Sequence, residues 1–216
     1  MSKINPKLCQ EWFDARNGNA RETLKADKGR LRSFFRWAIG CGHMPEGTLK
    51  CETPVSLIRL PKEDKKEPSI FTPAEAKALL FLAAEKNPEL LVYLSLGFFT
   101  GIRPQELHRL TFAQIRLHDK MVDVTLSKTR KSRTVPLPAN ALAWLELAKA
   151  KGQWGEPEHL IAPSVDKVKR LRAQLIRVVT PNQNWKQDVM RHSCASYRYE
   201  QCHNLGVVAK ELGNSP

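Results

Sequence analysis

The sequence contains no C-x-x-C pair, no recognisable signal peptide, no low-complexity tract and no long uninterrupted apolar run. Each absence removes a class of protein. A membrane-spanning helix needs about 20 mostly apolar residues, and a secretory leader needs its own apolar core and small-residue cleavage site. Five cysteines, Cys9, Cys41, Cys51, Cys194 and Cys202, are an odd number at wide spacing. That argues against a disulfide framework and for a reducing compartment. His192, Cys194, Cys202 and His203 come nearest to a metal set, but on a helix they would not all face one point, so no metal is expected. Together the absences predict a soluble, cytoplasmic protein with no membrane partner.

Acidic charge is scarce as well. Against 22 Asp and Glu stand 35 Lys and Arg, for a net charge of +13 and a pI near 9.7. The excess is not confined to a tail: residues 1–69 carry 14 basic and 9 acidic side chains, and residues 70–216 carry 21 and 13. A cationic surplus spread over the whole chain suits a polyanion that touches both parts, with nucleic acid the leading candidate. At 216 residues, 42% of them apolar, the chain is long enough for one large domain or for two, one of them small.

In chain order, residues 5–17 read as a short helix carrying Leu8, Trp12 and Phe13. Residues 21–39 make a stronger one, with Leu24, Leu31, Phe34, Phe35 and Ala38 at helical spacing. Arg21, Lys25, Lys28, Arg32 and Arg36 line another face. Such a run is either a solvated face or a stripe that tracks phosphates. A short element from Thr53 leads to Pro61. Residues 1–61 thus read as a small helical domain, partial at its start. Residues 62–69 (KEDKKEPS from Lys62) are charged and aperiodic, a linker. Residues 70–216 form the second domain.

The second domain opens with Thr72-Pro73-Ala74-Glu75, a capping box with Pro at the first helical position. An amphipathic helix over 73–86 and a nearly all-apolar, central helix from Pro88 to Phe99 follow. Thr100-Gly101-Ile-Arg103-Pro104 then turns the chain into a helix over 104–110: Gly just past one helix, Pro opening the next. An Arg held in such a corner, beside the free N–H groups of a helix start, is well placed to hold a phosphate. Residues 122–126 and 133–137 read as two strands of a hairpin whose tip carries Lys128, Arg130, Lys131 and Arg133, with no acidic residue between Asp123 and Glu146. Helices follow over 139–150, 165–178, 189–200 and 205–212. The fold class is therefore mainly α with a small antiparallel β-sheet.

Four ordered segments resemble the tyrosine recombinases, the phage-type integrases. Thr100-Gly-Ile-Arg103-Pro-Gln-Glu106-Leu is similar to their first active-site box, and Met190-Arg191-His192-Ser193-Cys-Ala195-Ser196 to their second. Lys128-Thr129 followed by Arg133-Thr-Val-Pro-Leu resembles the lysine-bearing hairpin between them. Leu212-Gly213-Asn214-Ser215-Pro216 resembles the third box. Phe34-Phe35-Arg36-Trp37-Ala38 is similar to the last helices of the family's core-binding domain. Any one segment is weak; four in order, over nearly the whole chain, are specific.

The resemblance implies a small SAM-like core-binding domain followed by the recombinase catalytic domain. It implies site-specific cutting and rejoining of double-stranded DNA through a 3′-phosphotyrosyl intermediate, with no metal and no other cofactor. The residues carried over are Arg103 and Arg191 as a clamp on the scissile phosphate and Lys128 as the acid for the leaving 5′ oxygen. Two rigid, permanently charged forks suit a phosphate that gains charge in the transition state, and a Lys among cations can have its pKa depressed enough to give up a proton. Lys25, Lys28, Arg32, Arg36, Arg130, Lys131 and Arg133 are expected to bind DNA. Full-length members act as homotetramers on paired sites, exchanging a C-terminal segment; a chain without that segment is expected as a monomer.

Two positions depart from the pattern. Asp188 stands where the family has the first His of H-x-x-R, and Asn214 where it has the His of the third box. Asp188 either orients a neighbour or simply caps the next helix; Asn214 either donates an amide hydrogen bond to phosphate or makes a turn. His192 reads as a packed helix residue, and Glu106 as a buttress for Arg103. The family's nucleophilic tyrosine is expected a short way beyond the third box, past Pro216, and none of Tyr93, Tyr197 and Tyr199 sits at the motif position. On that reading the chain binds DNA without cleaving it. The alternatives are a non-catalytic DNA-binding relative and a basic helical module for RNA or protein.

Overall fold

The computed structural model describes residues 4–16, 18–44, 53–62, 68–125 and 132–213. The chain divides into two compact units, Met1–Lys66 and Glu67–Pro216. In the first, α1 (Pro6–Asp14) starts at Asn5, whose Oδ1 accepts from the Leu8 N–H at 2.9 Å, with Pro6 at the first helical position. α2 (Arg21–Gly40) runs for 20 residues. Cys9, Phe13, Leu24, Phe35, Val55 and Ile58 form the core of this unit. The segment around Arg59 is held to α1 by the Gln10 side-chain amide, which donates to the Arg59 carbonyl and accepts its N–H. Phe34, expected to be inside, is 42% exposed and tilts against the still more exposed Trp37.

In the second unit α3 (Pro73–Lys86) begins with the expected capping box: the Glu75 N–H donates to Thr72 Oγ1, and the Thr72 N–H to Glu75 Oε2. Ala76, Leu79, Leu80, Ala83 and Ala84 are buried, while Phe81 lies outside, edge-on to Trp144. A 3-10 turn (Pro88–Leu90) leads into α4 (Leu91–Thr100), whose side chains are buried at every position but Phe99. Its two aliphatic hydroxyls do not break the apolar face, because Ser95 and Thr100 donate to the carbonyls of Leu91 and Leu96, one turn back. α4 packs against α3, α6 (Ala139–Ala150) and α8 (Val189–Cys202). At Gly97 the approach is so close that a Cβ would lie 2.6 Å from Met190 Sδ.

Beyond α4, α5 (Pro104–Leu107) is shorter than the helix expected over 104–110. Its continuation is captured by the segment 157–161: the N–H groups of Phe112 and Ala113 donate to the carbonyls of His159 and Pro157, and the Ile161 N–H to Leu110. Before that, the Arg109 and Leu110 N–H groups already tighten onto the carbonyls of Glu106 and Leu107, three residues back, and the helical ladder is lost. The sheet has three antiparallel strands in the order β1 (Ile115–Arg116), β2 (Met121–Thr125), β3 (Ser132–Pro136), with Val122 opposite Val135 and Val124 opposite Arg133. β1, two residues long, is too short to show alternation in sequence. α7 (Val165–Val179) buries Val168, Leu171, Leu175 and Ile176, and α9 (Leu205–Glu211) follows α8. No helix among the described residues is long and apolar enough to cross a membrane.

Candidate active site

The corner after α4 gathers the polar side chains. Gly101 takes φ +63°, the left-handed C-cap that stops α4. It could not be another residue cheaply, since a Cβ there would sit 2.3 Å from Leu212 Cδ2 and 3.3 Å from Cys194 Sγ. The contact brings the end of α9 and the middle of α8 against the turn that carries Arg103.

Arg191 is 7% exposed and reaches across this junction. Its Nη1 donates to the Gly101 carbonyl at 2.6 Å and its Nη2 to the Leu212 carbonyl at 2.8 Å. A guanidinium with two carbonyl partners, one on each neighbouring element, is fixed in direction before any ligand arrives. Burial, with the nearby charges of Arg103 and Arg133, pulls its pKa down to about 10, so it remains a cation at neutral pH.

Arg103 occupies the N-cap position of α5, with its side chain 42% exposed. Glu106 supports it from below: Oε2 accepts the Arg103 backbone N–H at 3.1 Å, and Oε1 lies 3.6 Å from Arg103 Nη1. The stronger partner of Glu106 is Arg133, whose Nη1 and Nη2 donate to Oε1 and Oε2 at 2.9 and 2.8 Å. Burial opposes the charged carboxylate, yet the Arg133 hydrogen bonds, the Arg103 N–H and both positive charges hold its pKa below the usual carboxylate range. Glu106 therefore buttresses two arginines, where the sequence pointed to one. Three arginines, set against Glu106 and the charge of Asp188, leave this corner net positive.

The other expected site residues fall as follows. Asp188 stands at the N-cap of α8 in a left-handed conformation (φ 57°), with no side-chain capping hydrogen bond, and its charge is felt by Arg191. His192, expected to be packed, is exposed, because Arg191 and Ser193 on either side take the inward directions of the helix. Lys128, Arg130, Lys131 and Asn214 lie outside the described residues. On α2, Lys25, Arg32 and Arg36 are exposed, Lys25 3.7 Å from Glu22. Lys28 turns inward to donate to the Ile58 carbonyl at 2.8 Å, with its pKa lowered by burial and by Arg32. Arg21 likewise braces the Pro61 carbonyl.

Of the tyrosines, Tyr93 is fully buried in α4 and Tyr199 is exposed on α8. Tyr197 donates its hydroxyl to the Phe71 carbonyl at 2.6 Å, and burial raises its pKa to about 12. Ser193 accepts the Phe71 N–H at 2.9 Å, so the second box also anchors the chain leading into α3. Sequence reasoning missed both this anchor and the Arg133–Glu106 pair. The one available signal was the alternation of β3, which sets Arg133 on the same face as Val135.

Comparison with known proteins gives one consistent answer. Residues 70–215 match the family model described as "Phage integrase family". A tyrosine recombinase of Pseudothermotoga lettingae is 27% identical over 86% of this chain and 64% of its own length. The tyrosine recombinase XerD of Pseudomonas aeruginosa is 28% identical over 94% of this chain and 70% of its own. Among solved structures, the Tn1549 transposon integrase in complex with circular intermediate DNA superposes with a TM-score of 0.74 over 99% of this chain and 78% of that one, at 15% identity. XerH bound to palindromic difH substrate superposes at 0.72, over 100% and 67%, at 18% identity. The chain spans just under two thirds of the first of these relatives.

Proposed function

Because the chain belongs to the phage integrase family, we propose that it acts on double-stranded DNA as a site-specific recombinase, with Arg103 and Arg191 clamping the scissile phosphate. The observation that carries this reading is the convergence on one corner of the first box, the second box, the end of α9 and β3, with Arg191 pre-aimed by two backbone carbonyls. An in-line attack on a phosphodiester places charge on the non-bridging oxygens, and fixed guanidinium donors stabilise that charge more than they stabilise the ground state. The attacking oxygen is a tyrosine hydroxyl, giving a 3′-phosphotyrosyl link that conserves the bond for rejoining. Tyr197 is unsuited to the part, its hydroxyl already donated to Phe71. Lys128 on the β2–β3 connection protonates the leaving 5′ oxygen. Asp188 and Asn214 take the places of the family histidines in the motifs.

The first unit supplies a second DNA contact. Lys25, Arg32 and Arg36 on α2 track the backbone, and Arg130 and Lys131 do so from the hairpin. On paired sites the full-length protein assembles as a homotetramer. The reading that the chain is a DNA-binding relative without cleavage differs from this one in a single observable. The test uses the full-length gene product and a duplex selected for binding from a randomised pool, nicked to trap cleavage. The expected result is an SDS-resistant protein–DNA adduct on tyrosine that is reduced about a thousandfold by Arg103→Ala or Arg191→Ala. An adduct that survives either change overturns the clamp; no adduct from the wild type overturns the catalytic reading.

A further inference from the structure

Arg133 came from the sequence as one of the hairpin cations that touch DNA, and its surroundings do not suit that part. The pleat of β3 sets it on the face of buried Val135, while Ser132 and Thr134 face outward. Its side chain is 18% exposed and that of Glu106 10%, and the two meet as a bidentate fork at 2.9 and 2.8 Å. On a further side lies Gly213, just past α9, so close that a Cβ there would stand 3.0 Å from Arg133 Cδ and Nε. The same carboxylate also accepts the Arg103 N–H and faces the Arg103 guanidinium. A helix of one turn such as α5 has almost no stability of its own, so its cap and its tertiary ties determine where its first residue points.

We infer that Arg133 is a positioning residue: through Glu106 it ties the base of the β2–β3 hairpin to the corner that aims Arg103. One carboxylate then joins three elements, α5, β3 and, by contact with Arg133, the end of α9. β3 and the turn that carries Arg103 thus share a single mechanical root. This rests on the clamp proposed above, and Arg133 acts through Arg103 without touching the phosphate.

The experiment compares wild type, Arg133→Ala, Arg133→Lys, Glu106→Gln and the Arg133→Ala/Glu106→Gln pair in the full-length protein, with two readouts. The first is amide hydrogen exchange without DNA. Arg133→Ala is expected to speed exchange across residues 103–108 as well as 132–136, about tenfold or more, and Arg133→Lys to do so partially, since an ammonium cannot make the fork. Faster exchange confined to 132–136 overturns the tie, whatever the fate of the catalytic reading. The second readout is duplex affinity and its salt dependence beside the rate of adduct formation. Arg133→Ala and Glu106→Gln are both expected to slow the adduct about a hundredfold with the salt slope unchanged and affinity lowered no more than Arg103→Ala lowers it, and the pair to be no slower than either alone. If instead Arg133→Ala weakens binding and lowers the salt slope by about one, while Glu106→Gln tightens binding, Arg133 is a DNA contact and the inference fails. Should the wild type form no adduct, the catalytic reading falls and the exchange readout alone decides the tie.

Discussion

Two concentrations of positive charge among the described residues are built in opposite ways. On α2, Lys25, Arg32 and Arg36 stand exposed along a helix face, and the inward pair, Arg21 and Lys28, brace the backbone at Pro61 and Ile58. In the corner after α4, Arg191 is almost wholly enclosed, and Arg133 and Arg103 share one carboxylate. Exposed cations attract a polyanion from a distance and are screened by salt. Enclosed cations are costly to bury and repay that only where a charge must be met at a fixed point. Residue type is the same in both places; on the proposed reading, burial and partners decide whether it steers or clamps.

The contrast can be broken first at Gly101. Gly101→Ala combines left-handed strain with a clash against Leu212, and a loss of about 3 kcal/mol is expected in urea denaturation of the second unit. A loss below about 1 kcal/mol would mean that α9 does not press on the corner as described. Next comes acid. Glu106 has its folded pKa depressed, so its contribution is present in full above the unfolded value of about 4.3 and is lost as pH falls through the depressed one. Wild type should therefore lose stability more steeply than Glu106→Gln on acidification, the two converging in strong acid; parallel curves contradict the pair. The smallest structural effect belongs to α2. Arg32→Ala should change stability by less than about 0.5 kcal/mol yet lower the salt slope of duplex binding by about one. An unchanged slope would return this stripe to an ordinary solvated face.

Much of this contrast was legible beforehand. The capping box at Thr72, the Gly101–Pro104 punctuation and the all-apolar α4 are local signals, and local chemistry decided them. Arg103 and Arg191 were singled out because their box motifs are ordered and specific. What stayed hidden depends on tertiary partners: the Leu110 carbonyl and the Phe112 and Ala113 N–H groups beyond α5 pair with residues 157–161, and Lys28 turns inward because the Ile58 carbonyl is there. His192 was misjudged because a helix position next to two inward residues is outward by geometry, which spacing alone would have shown. Arg133 was grouped with the hairpin tip by charge, whereas strand alternation and the acid at Glu106, 27 residues away, assign it elsewhere.

The central claim is that Arg103 and Arg191 meet one particular phosphate. It is tested most directly by neutralising the phosphates of a selected duplex one at a time as methylphosphonates and measuring affinity with wild type, Arg103→Ala and Arg191→Ala. The account predicts one position where neutralisation weakens wild-type binding at least tenfold and weakens neither variant further. If every position costs the variants as much as it costs the wild type, the arginine corner holds no phosphate.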